Sequence, residues 1–377
     1  MSWDIAAMTA VTSLGSTPSQ IYRALCAGRT GVAPLRAFDG TNYRMRNAYE
    51  IDDRAEPGRD EPFRATRWLV RAVDSALDAA GLRERAADIP VLVGTTLRES
   101  RSGELWWRDG IPLAPADLHF ARALRERLGV RRTETVASAC AAGLYALGMA
   151  TDLIESGTTD TVVVAATDAI TESAFGGFDR VQYPAPREIQ PFAADRRGMV
   201  MGEGAVALVV RKQGGHRGPV HGVLRGIEMN CDASHHTVPD PVSLARAIRQ
   251  AHRRSGVAAA EVDFVIAHGS GTIHNDLAET QALREVFAGV TPGPWITSIK
   301  AGVGHICGGS GLLSLVTAVL ALRDGVVPPI HGLTRPMPEA TGLRLVGEVP
   351  ATGALRTAQI NAIGLGGINA VAVVAAA

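Results

Sequence analysis

Short runs of Val, Ala, Ile and Leu recur along the chain, bounded by glycine or by charge. They predict strands at Val91–Gly94, Thr161–Ala166, Gly204–Val210, Val262–Ala267, Trp295–Ile299 and Ile368–Ala375. Near-continuous apolarity of this kind belongs to strands covered on both faces. Between the runs, apolar residues return at helical spacing and predict helices over Arg64–Ala80, Ala116–Leu128, Ala142–Glu155, Val242–Ser255, Leu277–Phe287 and Gly311–Leu322. In Ala142–Glu155 the residues Leu144, Leu147, Ala150, Leu153 and Ile154 fall on one stripe of the helix. Strands and helices in alternation argue a layered α/β fold.

The pattern breaks once, at the polar, glycine-rich stretch from Arg211 to Pro219. This divides the chain into an amino-terminal half, 1–213, and a carboxy-terminal half, 214–377. Each half holds a strand, a sharp turn of small residues and then a helix. The first turn reads Ala139-Cys140-Ala141-Ala142-Gly143 and the second Gly304-His305-Ile306-Cys307-Gly308-Gly309-Ser310-Gly311. Two such halves face to face would bring both turns to one crevice.

Composition narrows the picture. Of 377 residues, 46% are apolar and 20% charged, enough to bury a large core and too apolar for a disordered chain. The 38 basic and 38 acidic residues cancel, so no net positive field favours nucleic acid or an anionic membrane. Only Lys212 and Lys300 are lysines, which makes a lysine inside a motif noteworthy. The cysteines (26, 140, 231 and 307) form no CxxC pair, and a chain this long needs no disulfide staple, so a reducing cytoplasm is expected. The start, MSWDIAAMTAV, has no signal-peptide pattern, and no membrane span is expected.

Three places carry chemistry. Cys140 lies between a strand-like and a helical run, where the free N–H groups of a helix start would stabilise a thiolate. His268 follows the strand Val262–Ala267 on the turn His268-Gly269-Ser270-Gly271-Thr272, at the strand end where α/β sheets gather ligands; Asn275-Asp276 after it reads as the Asx cap of the next helix. Lys300 stands five residues before His305 in a glycine-dense turn that matches neither GxxxxGK[ST] nor GxGxxG, which argues against a nucleotide site. His235 and His236, near Cys231, lack a second ligand pair at zinc spacing, so no metal is expected.

Together these places resemble the elongating β-ketoacyl-acyl-carrier-protein synthases of the thiolase superfamily. Cys140 matches the family's nucleophile, HGSGT (268–272) its HGTGT, and KAGVGHICGGSG (300–311) its K-x-x-x-G-H-x-x-G-A-x-G motif. PFAADR (191–196), MGEGA (201–205), the loop Asp232–Pro239 and NAIGLGGIN (361–369) resemble further family segments, so the likeness runs in order through nearly the whole chain. It implies a thiolase-like fold of two pseudo-duplicated halves in αβαβα layers. It also implies a nucleophile, Cys140; two imidazoles, His268 and His305; Lys300 and Glu279 as a pair tuning His268; and an oxyanion hole from the main-chain N–H groups of Cys140 and Leu365. Thr237, Ser270, Thr272, Met199 and Leu365 match positions lining the phosphopantetheine tunnel. Leu365 and Met199 replace phenylalanines of the family, and the stretch from Gly94 to Cys140 is shorter.

The chemistry so implied is decarboxylative Claisen condensation. An acyl group passes from a carrier thioester to Cys140, a malonyl-type thioester loses CO2, and the enolate attacks while the imidazoles hold developing negative charge. The enzyme would bind no cofactor of its own; phosphopantetheine arrives on an acyl carrier protein. A homodimer, or a heterodimer with a second ketosynthase-like subunit, is the implied assembly. Two alternatives are an acyltransferase passing the acyl group to an alcohol or amine without condensation, and a non-catalytic partner resembling a chain-length factor, against which Cys140 itself argues.

Overall fold

The computed structural model describes residues 2–56, 59–214 and 218–377. Residues 215–217 of the polar bridge between the halves lie outside the described residues.

The first half contributes five strands: β1 (Trp3–Thr12), β2 (Val91–Gly94), β3 (Thr133–Val136), β4 (Thr161–Asp168) and β5 (Gly204–Lys212). They lie side by side in the order β1-β5-β4-β2-β3. The second half contributes β6 (Gly222–Cys231), β7 (Phe264–Ile266), β8 (Trp295–Thr297), β9 (Arg344–Leu345), β10 (Thr357–Gly364) and β11 (Ile368–Ala375), in the order β6-β11-β10-β7-β8-β9. The pairings repeat. β1 with β5 and β5 with β4 are antiparallel, as are β6 with β11 and β11 with β10; β4 with β2 and β2 with β3 are parallel, as are β10 with β7 and β7 with β8. Apart from the edge strand β9, the second half is a topological copy of the first. The copies join where Trp3–Ile5 of β1 pair with Gly222–Leu224 of β6.

Helix α1 (Arg64–Ala79) covers the outer face of the first sheet half, and α3 (Pro241–Ser255) with α4 (Ile273–Val286) covers that of the second. Between the halves lie α2 (Ala142–Glu155) and α5 (Ser310–Asp324), with Leu144, Leu147, Leu312 and Leu315 fully buried among strand residues from both sides. The result is five layers, αβαβα. α5 is buried on every side from Ser310 to Leu322, which explains why its sequence is apolar all round. The segment Cys307–Asp324 reaches a mean hydropathy of 1.2 over 18 residues, enough to cross a membrane by length and composition, yet 89% of it is buried in this middle layer.

Some boundaries differ from the expected ones. The helix anticipated over Ala116–Leu128 is two pieces, a 3-10 turn at Pro115–Leu118 and a helix at Ala121–Leu128. His119 between them is extended, and the Asp117 carboxylate accepts the Ala114 N–H at 3.0 Å, closing the turn on itself. α4 starts at Ile273 with Thr272 as N-cap, so Asn275 and Asp276 sit inside its first turn rather than capping it. Asp276 turns back instead, accepting the N–H groups of Phe192 and Gly271 at 2.8 and 3.2 Å.

Candidate active site

The carboxyl ends of the parallel strands of both halves meet at the start of α2 and α5, the position at which α/β sheets bind ligands. After β3 the chain makes a 3-10 turn, Ala139–Ala141, before α2. Ala139 takes φ 45°, a left-handed conformation that costs a non-glycine residue strain, and Cys140 follows it, 7% exposed. The turn before α5, Cys307–Gly309, copies this bend, with Cys307 at φ 40°. The two bends approach closely: a Cβ on Gly143 would lie 2.7 Å from the Gly308 carbonyl oxygen.

His305 Nε2 lies 3.0 Å from Cys140 Sγ, and His305 Nδ1 lies 3.0 Å from Ser310 Oγ. The Ser310 hydroxyl can accept from or donate to that ring, so it supports either tautomer. The His268 ring stands 5.4 Å from that of His305, at 88° to it. His268 Nδ1 accepts the Ile363 N–H at 3.2 Å and has Lys300 Nζ 3.4 Å away. With donors on Nδ1, the ring proton of neutral His268 resides on Nε2. Lys300 Nζ also donates to the His268 carbonyl oxygen. Burial, reinforced by the Lys300 charge, holds both imidazoles well below the usual histidine range, so they are neutral donors at physiological pH.

The electrostatics of the thiol differ from the expectation of a helix-stabilised thiolate. Burial pushes Cys140 up to about 11; the Lys300 charge and the main-chain N–H groups of Leu365 and Cys140 pull the other way without prevailing. The resting group is a thiol beside His305. Lys300 is itself pulled down to about 8 by burial, against the opposing pull of Glu279.

Glu279 is placed otherwise than as a direct partner of Lys300. Its carboxylate accepts the main-chain N–H groups of His268 and Gly269 at 2.7 and 2.8 Å and the Asn361 amide at 3.0 Å. Glu279 acts on Lys300 through its field and on His268 through the backbone.

The residues expected to line the carrier arm occupy loops around this centre. The main chain of His305 pairs with that of Val200 and Gly202, directly after Met199, which is 7% exposed. Ser270 Oγ meets Thr272 Oγ1 at 3.0 Å on the turn after His268. Thr237 is exposed; its N–H meets His235 Nδ1 at 3.1 Å, and its loop is tied to the turn carrying Leu365 by the Gly366 N–H on the His236 carbonyl at 2.8 Å. Leu365 is 49% exposed at the mouth.

Four supporting residues were not anticipated. Ser310 holds His305, the Ile363 N–H fixes His268, and Asn361 anchors Glu279. Asp168 accepts Thr95 Oγ1 at 2.7 Å, the N–H groups of Thr96 and Leu97 at 3.0 and 2.7 Å, and the Gly308 N–H at 2.8 Å. The one sequence signal for Asp168 was an acid ending an otherwise apolar strand at the site-bearing end of the sheet.

Known proteins share this sequence pattern and fold. The family model "Beta-ketoacyl synthase, N-terminal domain" matches residues 4–214 and "Beta-ketoacyl synthase, C-terminal domain" residues 221–334. The 3-oxoacyl-[acyl-carrier-protein] synthase 2 of Synechocystis sp. is 30% identical, covering 97% of this chain and 95% of that protein. The ketoacyl synthase alpha subunit of the tetracenomycin polyketide synthase of Streptomyces glaucescens is also 30% identical, covering 96% and 94%. Among solved structures, the ishigamide ketosynthase/chain length factor superposes with a TM-score of 0.88 at 29% identity, covering 100% of this chain and 99% of that one. With both family models matched in order over a duplicated αβαβα fold, this chain belongs to the β-ketoacyl synthase family.

Proposed function

We propose that this enzyme condenses an acyl group, delivered on an acyl carrier protein, with a malonyl-type carrier thioester, using Cys140 as nucleophile. The observation that carries the reading is the pair of neutral imidazoles, ring centres 5.4 Å apart and perpendicular, one of them 3.0 Å from a buried thiol on which two main-chain N–H groups converge.

In loading, the Cys140 S–C bond forms as the carrier S–C bond breaks. The thiol proton passes to His305 Nε2, 3.0 Å away, and on to the departing carrier thiol. In condensation the malonyl C–C bond breaks and CO2 leaves. The enolate oxygen takes hydrogen bonds from Nε2–H of His268 and of His305; having given up the thiol proton from Nε2, His305 donates here in its other tautomer, the one whose Nδ1 accepts from Ser310 Oγ. The enolate carbon attacks the acyl carbonyl, whose oxygen takes the N–H groups of Cys140 and Leu365; the acyl C–S bond to Cys140 then breaks, and the leaving thiolate takes one proton from solvent, the proton that decarboxylation consumes overall, to regenerate the thiol. Lys300 and Glu279 position His268. Thr237, Ser270, Thr272, Met199 and Leu365 line the approach of the phosphopantetheine arm, and the chemistry needs no cofactor held by the enzyme. Residues 1–213 thus supply the nucleophile and 214–377 both imidazoles.

A carrier partner is supported by the likeness to the Synechocystis relative, a 3-oxoacyl-[acyl-carrier-protein] synthase. A second ketosynthase-like subunit, or a second copy, fits the edge strand β3 and the exposed Trp106 and Trp107. Plain acyl transfer is the second reading, favoured by the aliphatic Leu365 half-exposed at the mouth.

The test separates the half-reactions. His268→Ala should keep acyl loading on Cys140, read by intact mass, while CO2 release falls on the order of 10²-fold. His305→Ala should slow both, because it alone touches the sulfur. Undiminished CO2 release and product in both variants would overturn condensation in favour of plain transfer.

A further inference from the structure

A buried hydrogen-bond chain leaves the active site on its far side. Gln359 and Asn361, two apart on β10, share one face of the strand and point toward the layer of α3 and α4. Asn361 Nδ2 donates to Glu279 Oε1 at 3.0 Å, Gln359 Nε2 to Asn361 Oδ1 at 2.8 Å, and Gln359 Oε1 lies 2.8 Å from His252 Nε2 on α3. Glu279 and Gln359 have no exposed surface, Asn361 is 2% exposed and His252 6%. The same ring reaches the far surface, where His252 lines a hollow of ≈ 400 Å³ with Arg249 and Arg253.

With Glu279 ionised, the chain can run one way only. Glu279 is an acceptor toward His268, Gly269 and Asn361. Asn361 must therefore present its NH2 to Glu279 and its oxygen to Gln359. Gln359 in turn must present its NH2 to Asn361 and its oxygen to His252. His252 has no choice but to donate from Nε2. Reversing any link leaves a buried donor facing a donor or an acceptor facing an acceptor, the costly arrangement in a dry interior.

We infer that His252, through Gln359 and Asn361, is a positioning residue for His268. Its Nε2–H terminates a donor chain that holds the Glu279 carboxylate against the main-chain N–H groups of His268 and Gly269, and so sets where the His268 ring stands. Loading on Cys140 does not use that ring, so the relay should matter to the second half-reaction alone. The inference rests on the role given to His268 above.

The first measurement needs no variant. Long-range 1H–15N spectra of the intact enzyme should show His252 as the Nε2–H tautomer, and an Nδ1–H tautomer would overturn the relay. His252→Leu should lower kcat for condensation about fivefold, with KM and the loading rate within about twofold, the scale of remote positioning effects. His252→Gln, which keeps a donor for Gln359, should restore most of that loss, and in a Gln359→Leu background His252→Leu should add little. Equal losses in His252→Leu and His252→Gln, or loading falling in step with condensation, would reduce the residue to a packing role and refute the inference. His268→Ala run alongside separates two failures. Condensation retained there overturns the role of His268; condensation lost there but unchanged in His252→Leu overturns the relay.

Discussion

The two bends before α2 and α5 have the same backbone and opposite uses. Both are 3-10 turns entered through a left-handed non-glycine residue, Ala139 or Cys307. The next residue is Cys140 in the first and Gly308 in the second. Cys140 offers a side chain to the crevice, whereas Gly308 offers its N–H to Asp168 and leaves room for its neighbours. The loops ahead of the bends differ too. Two residues, Ala137 and Ser138, separate β3 from Ala139, while the longer loop after β8 holds Lys300 and His305. Duplication gave one scaffold, and the division of labour lies in which bend keeps a side chain and which loop grew. The strand corners differ in the same way: after β2, Thr95 holds Asp168 and accepts the Arg98 N–H, and after β7, His268 stands beside the His305 ring.

The largest test of this contrast exchanges the cysteines' fates. Cys140→Ala should abolish acyl loading. Cys307→Ala, which gives the second bend the residue Ala139 already has in the first, should load at close to the parent rate. Intact-mass analysis with a carrier-bound acyl group checks both, and an acyl adduct surviving in Cys140→Ala would place the nucleophile elsewhere.

Gly308→Ala probes the second bend directly. An added Cβ would lie 2.9 Å from Thr95 Cα, 3.0 Å from its carbonyl carbon and 3.1 Å from Asp168 Oδ2, two of the three being rigid main chain. The expected loss is about 1–3 kcal/mol of stability, as for overpacked cores, seen as a lower thermal midpoint. An unchanged midpoint would show that the bend can open freely.

Much of this was legible in the sequence, and what was not has physical reasons. Ile368–Ala375 and Ala142–Glu155 were read with their observed limits: the strand is buried along nearly its whole length, and the helix buries a broad apolar face while Met149, Asp152 and Glu155 stay exposed. β6 was missed: Arg225 and Glu228 interrupt its apolar pattern on partly exposed positions, and the strand is fixed by pairing with β1 and β11 rather than by its own composition. β1 and β10 escaped for a related reason, since Thr9, Gln359 and Asn361 hydrogen-bond inside the fold where the sequence shows only polar residues. Cys140, His268, Lys300 and His305 stood out through motif spacing. Asn361 and Asp168 did not, because their roles exist only when distant segments meet; Ser310 did not because its pairing with His305, five residues away, depends on how the turn before α5 bends. The same holds for the electrostatics of Cys140: the helix start was visible in the sequence, the burial that outweighs it was not.

That burial gives a pH signature separating the two cysteines. With Cys140 pushed up to about 11, the thiolate fraction grows as pH rises, so alkylation by iodoacetamide should climb steadily from pH 6 to 9 without the plateau of an acidic thiol. Cys307, pushed further up by burial and by the Asp168 charge, should stay unlabelled throughout. Lys300→Ala removes the largest influence holding Cys140 down and should slow its alkylation at pH 7 by about two- to fivefold. Lys300 loses its charge near pH 8, so the gap between parent and variant should close above that value. A pH-independent rate in the parent would show that the thiolate already dominates at neutrality.

The smallest expected effect lies at Leu365, where backbone and side chain can be told apart. Its N–H faces Cys140 in any residue but proline, so the proposed oxyanion contact is indifferent to the side chain. The side chain, 49% exposed at the mouth, has the reach of a branched aliphatic group and no flat ring to lie across the opening. The turn that carries it is anchored, since Asp232 donates its N–H to the Gly367 carbonyl at 2.9 Å and the Gly366 N–H meets the His236 carbonyl. Leu365→Phe should therefore leave the backbone in place and change only what fills the mouth. Loading of short acyl groups should stay within about twofold, while bulky or rigid acyl groups lose severalfold, the discrimination that one or two added carbons' worth of steric difference provides. Decarboxylation of malonyl-carrier ahead of loading should also fall in the variant. A panel of carrier-bound acyl groups, scored on both proteins for acyl-Cys140 and for CO2, reads all three effects. Identical profiles would move the control of specificity to the short segment around Trp106.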